Sequence, residues 1–444
     1  MPNTLNTTPM LNTSLNTSHA SAMSAEPKGG TACAGGGPQS LSIKPGMWQL
    51  DPTLCFLNHG SYGAVLRPVT LAQQAYRDRM ERDPVRFFKV DLEHLMDGVR
   101  ESLARFVNCR AMDVAPVANA TIAISTILAN ADLNPGDEVL ITDHEYQSLS
   151  NELDRVCART GAKVVRAAIP YPNTDPATVV ERVLACVTPR TRLAFVSHIT
   201  SATSLIFPVA PILAELNRRG VDTVLDGAHS VGQIPVDLAA LAPTYFIGSG
   251  HKWLSAPKGT GFLCVRPDRQ DQFRTLALSS RANKVRPDRA LFLRDFDYMG
   301  TADYTAILAM SNAVTEMGGL LPGGWPALYR KNHELIMKGR AVVCDAMGID
   351  EPCPERMVGS MCTLPLPEPA PELRSRPTEY DDALQDALYH THRIVTPVWR
   401  FGPDNTRVIR ISAQLYNRVE QYEQLAQALR VELARERGSI RASA

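Results

Sequence analysis

The sequence predicts an α/β protein: a large domain built on a mostly parallel sheet, joined to a smaller α+β domain. Three observations carry this expectation. Short apolar runs recur between residues 138 and 265, helix-patterned segments separate several of them, and the pattern changes after about residue 320. Taken in order, Leu92, Leu95, Met96, Val99, Leu103 and Phe106 recur at steps of three and four and mark one face of a helix. EVLIT (138–142), KVVRAA (163–168), RLAFVS (192–197), VDTVLD (221–226), YFIGS (245–249) and GFLCV (261–265) then read as strands covered on both faces, since apolar residues fill them almost without alternation. Helical patterns return at 326–347, 379–392 and 419–435, and the Pro-rich PLPEPAPELRSRP (365–377) reads as a connector. The expected division is a disordered tail over 1–45, a segment over 46–90 that contributes to the smaller domain, the large domain over 91–319 and the smaller one over 320–444. The tail is rich in Asn, Thr, Ser and Gly and has too few apolar side chains to offset the entropy of ordering.

Composition narrows the function classes. Lys+Arg and Asp+Glu both number 46, so no net field gathers a nucleic acid. No apolar run reaches membrane-spanning length. The nine cysteines are odd in number and scattered, without a C-x-x-C pair, which argues against a disulfide framework or a zinc site and for a reducing cytoplasm. The histidines are dispersed and suggest no metal centre.

Polar residues at the carboxyl ends of the strands are the ones to inspect, because ligands of open α/β sheets bind there. YFIGS runs directly into Gly250-His251-Lys252. A lysine after a buried strand loses solvation, which favours the neutral amine, the nucleophile that condenses with an aldehyde. A solvated surface lysine is the plain alternative. VDTVL ends in Asp226-Gly227-Ala228-His229. A carboxylate at such a place holds a pyridinium nitrogen protonated, or it simply closes a tight turn on local amides. Asn119, Ala120 and Thr121 precede a helix-like stretch and serve equally as a cap or, through backbone N–H groups, as an anion site for a phosphate. Ser249 and His251 offer further donors to that phosphate.

N-A-T at 119–121, H-E-Y at 144–146, S-H-I-T-S at 197–201, D-G-A-H at 226–229 and S-G-H-K at 249–252 together resemble the class V aminotransferase family. Within it, FLNHGSYG (56–63) and RISAQLYN (410–417) resemble the isopenicillin N epimerase-like group. The resemblance covers about residues 50 to 435 and implies a fold-type I enzyme dependent on pyridoxal 5'-phosphate, with a small amino-acid substrate. It implies that Lys252 carries the cofactor and that Asp226 partners the pyridine nitrogen. Ala120, Thr121, Ser249 and His251 match the phosphate positions, and Tyr146 the ring over the cofactor face. His229 and Ser201 fall near the cofactor's phenolic oxygen. Arg410, with Arg407 as its competitor, matches the arginine offered to the substrate carboxylate, and Asn58 faces it from the opposite side. Gly300 and Thr301 resemble a segment that reaches into the partner's site, so a homodimer with shared sites is implied. Arg86 is a weaker candidate for the substrate side.

Several outcomes share such machinery: epimerisation, loss of a β- or γ-substituent, cyclisation or replacement. Desulfuration through a persulfide is disfavoured, because no cysteine lies between Thr363 and Ala444 to accept sulfur. A carbon–sulfur lyase that releases its fragment without a cysteine is the main alternative to an epimerase. A non-catalytic binding module is the alternative of another class, and it predicts loss of Lys252 or Asp226, both of which are present.

Overall fold

The structure, a computed structural model, describes residues 46–374 and 376–442. The tail expected over 1–45 lies outside the described residues. Twelve strands are present among them: β1 (Cys55–Phe56), β2 (Val114–Val117), β3 (Glu138–Thr142), β4 (Lys163–Ala167), β5 (Thr191–Ser197) and β6 (Asp222–Gly227), then β7 (Tyr245–Ser249), β8 (Gly261–Val265), β9 (Met361–Pro365), β10 (Ile394–Val395), β11 (Val398–Phe401) and β12 (Thr406–Ser412).

Seven of them form one sheet in the order β2-β8-β7-β6-β5-β3-β4, parallel throughout except for β8, which runs against both neighbours. Successive side chains of a strand point to opposite faces, and here both faces are covered. Val139, Ile141, Leu193, Phe195, Val224 and Ile247 join one apolar cluster with Ile124 and Ile127 of the helix Ala120–Asn130. Leu140, Ala194, Val196, Leu225 and Phe246 join the other, with Met96, Val99 and Leu103 of the helix Leu92–Val107. This is why the strands read as continuous apolar runs: neither face is left to water. Each fully buried Leu, Val, Ile or Phe contributes about 1.5–3 kcal/mol.

A second sheet, antiparallel in the order β11-β12-β9, lies in the C-terminal part of the chain. The helices Gly324–Met347 and Val419–Ala442 pack on each other, and the first also packs on β9 and β12. β1 pairs with β10, and the chain after it is tied down by Ser412, whose N–H donates to the Leu57 carbonyl at 2.9 Å. The helix Arg67–Arg82, by contrast, packs against the helices Thr305–Leu308 and Met310–Gly318.

The six expected strands are β3 to β8, and β2 and β9 are among those absent from the sequence expectation. Both are edge strands, and both contain a proline (Pro116 and Pro365). Proline is tolerated at a sheet edge because no ladder partner needs its missing N–H, so it hides such strands from pattern reading. The stretch 365–377 is not purely a connector either: its first residue closes β9, and Pro371–Arg374 form a short helix.

Candidate active site

The parallel strands of the large sheet end on one rim, and the chain leaves each of them into the same space. β2 leads to Asn119 and the helix Ala120–Asn130, β3 to Glu145 and Tyr146, and β5 ends at Ser197. β6 ends at Asp226-Gly227, and β7 ends at Ser249, two residues before His251 and three before Lys252. A cavity of about 280 Å³ opens at this rim, walled by Ala120, Thr121, Tyr146, Ser201, Asp226 and His229 together with Ser249, His251, Lys252 and Arg410. Residues separated by up to 350 positions are thus brought together by the fold (Gly60 to Arg410). The loop holding Ser61 and Tyr62 closes one side. At its end Gly63 has φ +65°, and a Cβ there would lie 2.3 Å from the His251 carbonyl oxygen and 2.6 Å from that of Lys252. Only glycine lets this loop seat so tightly on the lysine's backbone.

Lys252 Nζ stands 3.0 Å from His229 Nε2 and 5.8 Å from the centre of the Tyr146 ring. Trp253 Nε1 donates to His229 Nδ1 at 3.3 Å. An indole N–H can only donate, so Nδ1 accepts and the neutral imidazole carries its proton on Nε2, facing the lysine. Burial keeps His229 neutral, holding its pKa well below the usual histidine range, with the Lys252 charge adding to the effect. A donor aimed at Nζ favours the neutral amine. Burial does the same and pushes the Lys252 pKa down to about 8, against the opposing pull of Asp226.

Asp226 is 7% exposed, and its Oδ1 accepts the Ala228 N–H at 2.8 Å. The turn reading and the site reading therefore hold at once: one oxygen closes the turn, and the other has no hydrogen bond among the described residues. Burial raises its pKa, opposed by that hydrogen bond and by the Lys252 charge. Asn119 caps its helix by accepting the Ile122 N–H at 2.9 Å. The amides of Ala120 and Thr121 belong to the first turn, which has no intrahelical acceptor. Close by, the Ser249 hydroxyl is fully buried without a hydrogen-bond partner among the described residues. His251 donates through Nδ1 to the Thr260 carbonyl at 2.9 Å, which leaves Nε2 free to face the cavity.

Arg410 and Arg407 sit three residues apart on β12 in contrasting settings. Arg407 is fully buried between two carboxylates: Nε is 2.9 Å from Asp382 Oδ2 and NH1 is 2.8 Å from Glu436 Oε2. Arg410 is 5% exposed and meets no carboxylate among the described residues. Its guanidinium donates to the Ser201 carbonyl at 2.9 Å and to Ser61 Oγ at 2.8 Å, and it lies 5.4 Å from the Trp399 ring centre. Asn58 Oδ1 is 3.5 Å away and accepts from Ser61 Oγ at 2.6 Å. Burial pushes the Arg410 pKa down to about 10.

Two candidates, Thr301 and Arg86, lie elsewhere within one chain, and Asn58 sits beside Arg410 but outside the inner cavity. Thr301 is exposed, its hydroxyl 2.7 Å from that of Tyr298, and it lines neither this cavity nor the larger one beside it. Asn58 lines the larger cavity only. Arg86 is on the surface, 3.6 Å from Asp91. Conversely, the sequence reading gave no role to Glu145 or Ser197. Glu145 accepts from the Ser197 hydroxyl at 2.6 Å, the Ser197 N–H at 3.1 Å and the Thr142 hydroxyl at 2.9 Å. Desolvation, with the Asp226 charge adding to it, pushes its pKa up to about 7. Its only sequence signal is its place in D-H-E-Y, beside Tyr146 and just past a strand end.

A mostly parallel sheet with an aspartate closing β6 and a lysine following β7 is the framework of fold-type I pyridoxal phosphate enzymes. Residues 66–317 match the family model for class V aminotransferases. Isopenicillin N epimerase of Streptomyces clavuligerus is 31% identical over 396 residues, covering 86% of this chain and 96% of the relative. The probable chloroplastic L-cysteine desulfhydrase of Arabidopsis thaliana is 26% identical over 401 residues, covering 85% and 83%. Among solved structures, a cystine C–S lyase in complex with cysteine persulfide matches with a TM-score of 0.72 at 20% identity, covering 85% of this chain and 98% of that one. The chain belongs to the class V aminotransferase family and is a pyridoxal phosphate-dependent enzyme.

Proposed function

We propose that this enzyme acts at the α-carbon of an amino acid and epimerises it, in the manner of the isopenicillin N epimerases it resembles. The observation that supports this best is the opposition, across one cavity, of an amine kept near neutrality (Lys252) and a buried guanidinium with no carboxylate partner (Arg410). The cavity fits the cofactor. The unpartnered Ser249 hydroxyl, His251 and the amides of Ala120 and Thr121 suit its phosphate. Asp226 suits the ring nitrogen, on which its carboxylate holds a proton. Tyr146, 47% exposed at the cavity wall, suits the ring face. His229 and Ser201, which also line the cavity, would serve the cofactor's phenolic oxygen, as the resemblance implies.

When bound, pyridoxal phosphate draws electrons from the substrate's α-carbon and makes its proton labile. Arg410 binds the substrate carboxylate through its planar fork, and Asn58 and Ser61 hold that fork in place. Lys252 Nζ takes up or returns the α-proton, and the His229 Nε2–H aims the amine and favours its neutral form. Gly300 and Thr301 contribute to the partner's site in a homodimer, and the enzyme works in the cytoplasm. Among the described residues the cysteines are all free, and no helix is long and apolar enough to cross a membrane.

A carbon–sulfur lyase is the second reading, favoured by the likeness to an L-cysteine desulfhydrase. The same lysine and arginine serve elimination. The deciding experiment incubates the holoenzyme with amino acids in deuterated water, followed by mass spectrometry and chiral analysis. Deuterium uptake with inversion supports the epimerase, release of a β-substituent with a keto acid supports the lyase, and the absence of both overturns the proposal.

A further inference from the structure

We propose that the substrate is a long α-amino acid whose side chain enters the larger cavity and ends in a positively charged group. This rests on the reading that Arg410 takes the α-carboxylate.

The larger cavity has a volume of about 800 Å³ and shares Ser61, Tyr62, Tyr146, Ser201 and Arg410 with the inner one, so the two are continuous past the guanidinium. An alanine- or cysteine-sized substrate bound at Arg410 leaves this space to water, whereas a longer side chain extends into it.

The wall chemistry selects the end group. Tyr380, Tyr389, Trp399 and Phe401 line the outer part, and the Tyr380 and Tyr389 rings stand 5.4 Å apart at 57° to each other. Aromatic faces attract a cation through the ring quadrupole, and two of these rings already do so within the chain: Arg410 lies 5.4 Å from the Trp399 centroid and Arg393 5.8 Å from that of Tyr389. The charged residues of the wall point the same way. Arg400 is already bound to Glu368 at 2.8 Å, and Arg410 is reserved for the α-carboxylate. Asp143 and Asp381 also line the wall, and neither has a lysine or arginine partner among the described residues. Asp143 accepts the Ile169 N–H at 3.0 Å, and the buried His144 lies beside it, its Nε2 3.8 Å away and 3.0 Å from the Ile169 carbonyl. The uncommitted charge facing the outer cavity is therefore negative, complementary to an ammonium, a guanidinium or an alkylated ammonium.

The test titrates the holoenzyme with alanine, norleucine, lysine, arginine and α-aminoadipate, following the cofactor's visible absorbance at equilibrium. The expected result is that lysine and arginine bind at least about tenfold more tightly than norleucine, with α-aminoadipate weakest. In Asp381→Asn and Tyr389→Leu proteins that retain the cofactor band, the ratio of lysine to norleucine affinity should shrink. Norleucine or α-aminoadipate matching lysine in the unmodified enzyme overturns the proposal while leaving the proposed chemistry intact. If no amino acid changes the absorbance, both fall together.

Discussion

At the amino-terminal rim of the seven-stranded sheet, Asp137, Glu138 and Asp222 each meet an arginine: Arg192 at 3.2 Å, Arg190 at 3.3 Å and Arg269 at 2.9 Å. At the carboxyl-terminal rim, Glu145, Asp226, Lys252 and Arg410 form no ion pair among the described residues. Burial shifts all four toward their neutral forms, raising the two acids and lowering the two bases. The first rim spends its charges on one another; Asp137 and Asp222 pair at the surface, where each pair contributes about 0–1 kcal/mol, while Glu138 is buried beneath an exposed Arg190. The second keeps charged groups poorly solvated and uncommitted, which lowers stability and is the signature of a site built to receive a ligand. The contrast recurs within β12, where Arg407 is saturated by Asp382 and Glu436 and Arg410 is not.

The largest effect expected from breaking the second rim belongs to Lys252→Ala. It removes the proton-transferring amine, so α-proton exchange on any accepted amino acid should fall by about 10²–10⁴-fold or more. The cofactor's absorbance in the mutant should no longer be fixed by borohydride. A reducible adduct in the mutant would assign the cofactor to another lysine. Lys258 is a poor substitute, since its Nζ already donates to the Gly63 carbonyl at 2.9 Å and it lines neither cavity.

The two arginines of β12 sharpen the contrast. Arg407→Met strands the buried Asp382 and the partly buried Glu436 and should destabilise the fold by about 3–5 kcal/mol in denaturant titration. Arg410→Met should instead weaken amino-acid binding by about 2–5 kcal/mol, with cofactor affinity little changed. Equal loss of cofactor and substrate affinity in the second variant would make Arg410 a structural residue.

A smaller effect is read in pH. The folded Lys252 pKa of about 8 lies below its ordinary 10.5, so the unfolded chain binds more protons between these values. Lys252's contribution to apoenzyme stability should therefore rise with pH across that window. Only the neutral amine attacks an aldehyde, so reconstitution of apoenzyme with pyridoxal phosphate should speed up with pH and level off above about 8. Asp226→Asn removes the carboxylate that favours the charged lysine, and should move the plateau to lower pH. A pH-independent rate would contradict the perturbed amine.

The parts of this arrangement that could be read from sequence are those that leave a local trace. EVLIT, YFIGS and GFLCV coincide with β3, β7 and β8 because both faces of the sheet are buried. Lys252 and Asp226 stand out because each follows or ends a recognisable strand, and Thr121 because it opens a helix. Glu145 does not, because its partner Ser197 lies 52 residues away and meets it only through sheet pairing. Arg407 and Arg410 are indistinguishable as letters in TRVIRIS, and what separates them are Asp382 and Glu436, supplied by segments 25 and 29 residues away. The outer cavity left no trace either, since its aromatic walls come from loops and short strands with no period to follow.

The smallest expected effect tests the first rim. Asp137 takes its principal stabilisation from backbone, accepting the Asn134 N–H at 2.8 Å, and this hydrogen bond is the foremost cause of its lowered pKa. Its partner Arg192 is 61% exposed, so the pair is screened by solvent. Arg192→Gln should therefore change stability by only about 0–1 kcal/mol, and that remainder should fade as salt shortens the reach of the charge. Amino-acid binding and α-proton exchange should be those of the unmodified enzyme, because the mutation lies at the opposite end of β5 from Ser197. If Arg192→Gln cost as much stability as Arg407→Met, or altered substrate affinity, the two rims would not be separable, and unpaired charge at one end of the sheet would lose its value as the mark of the site.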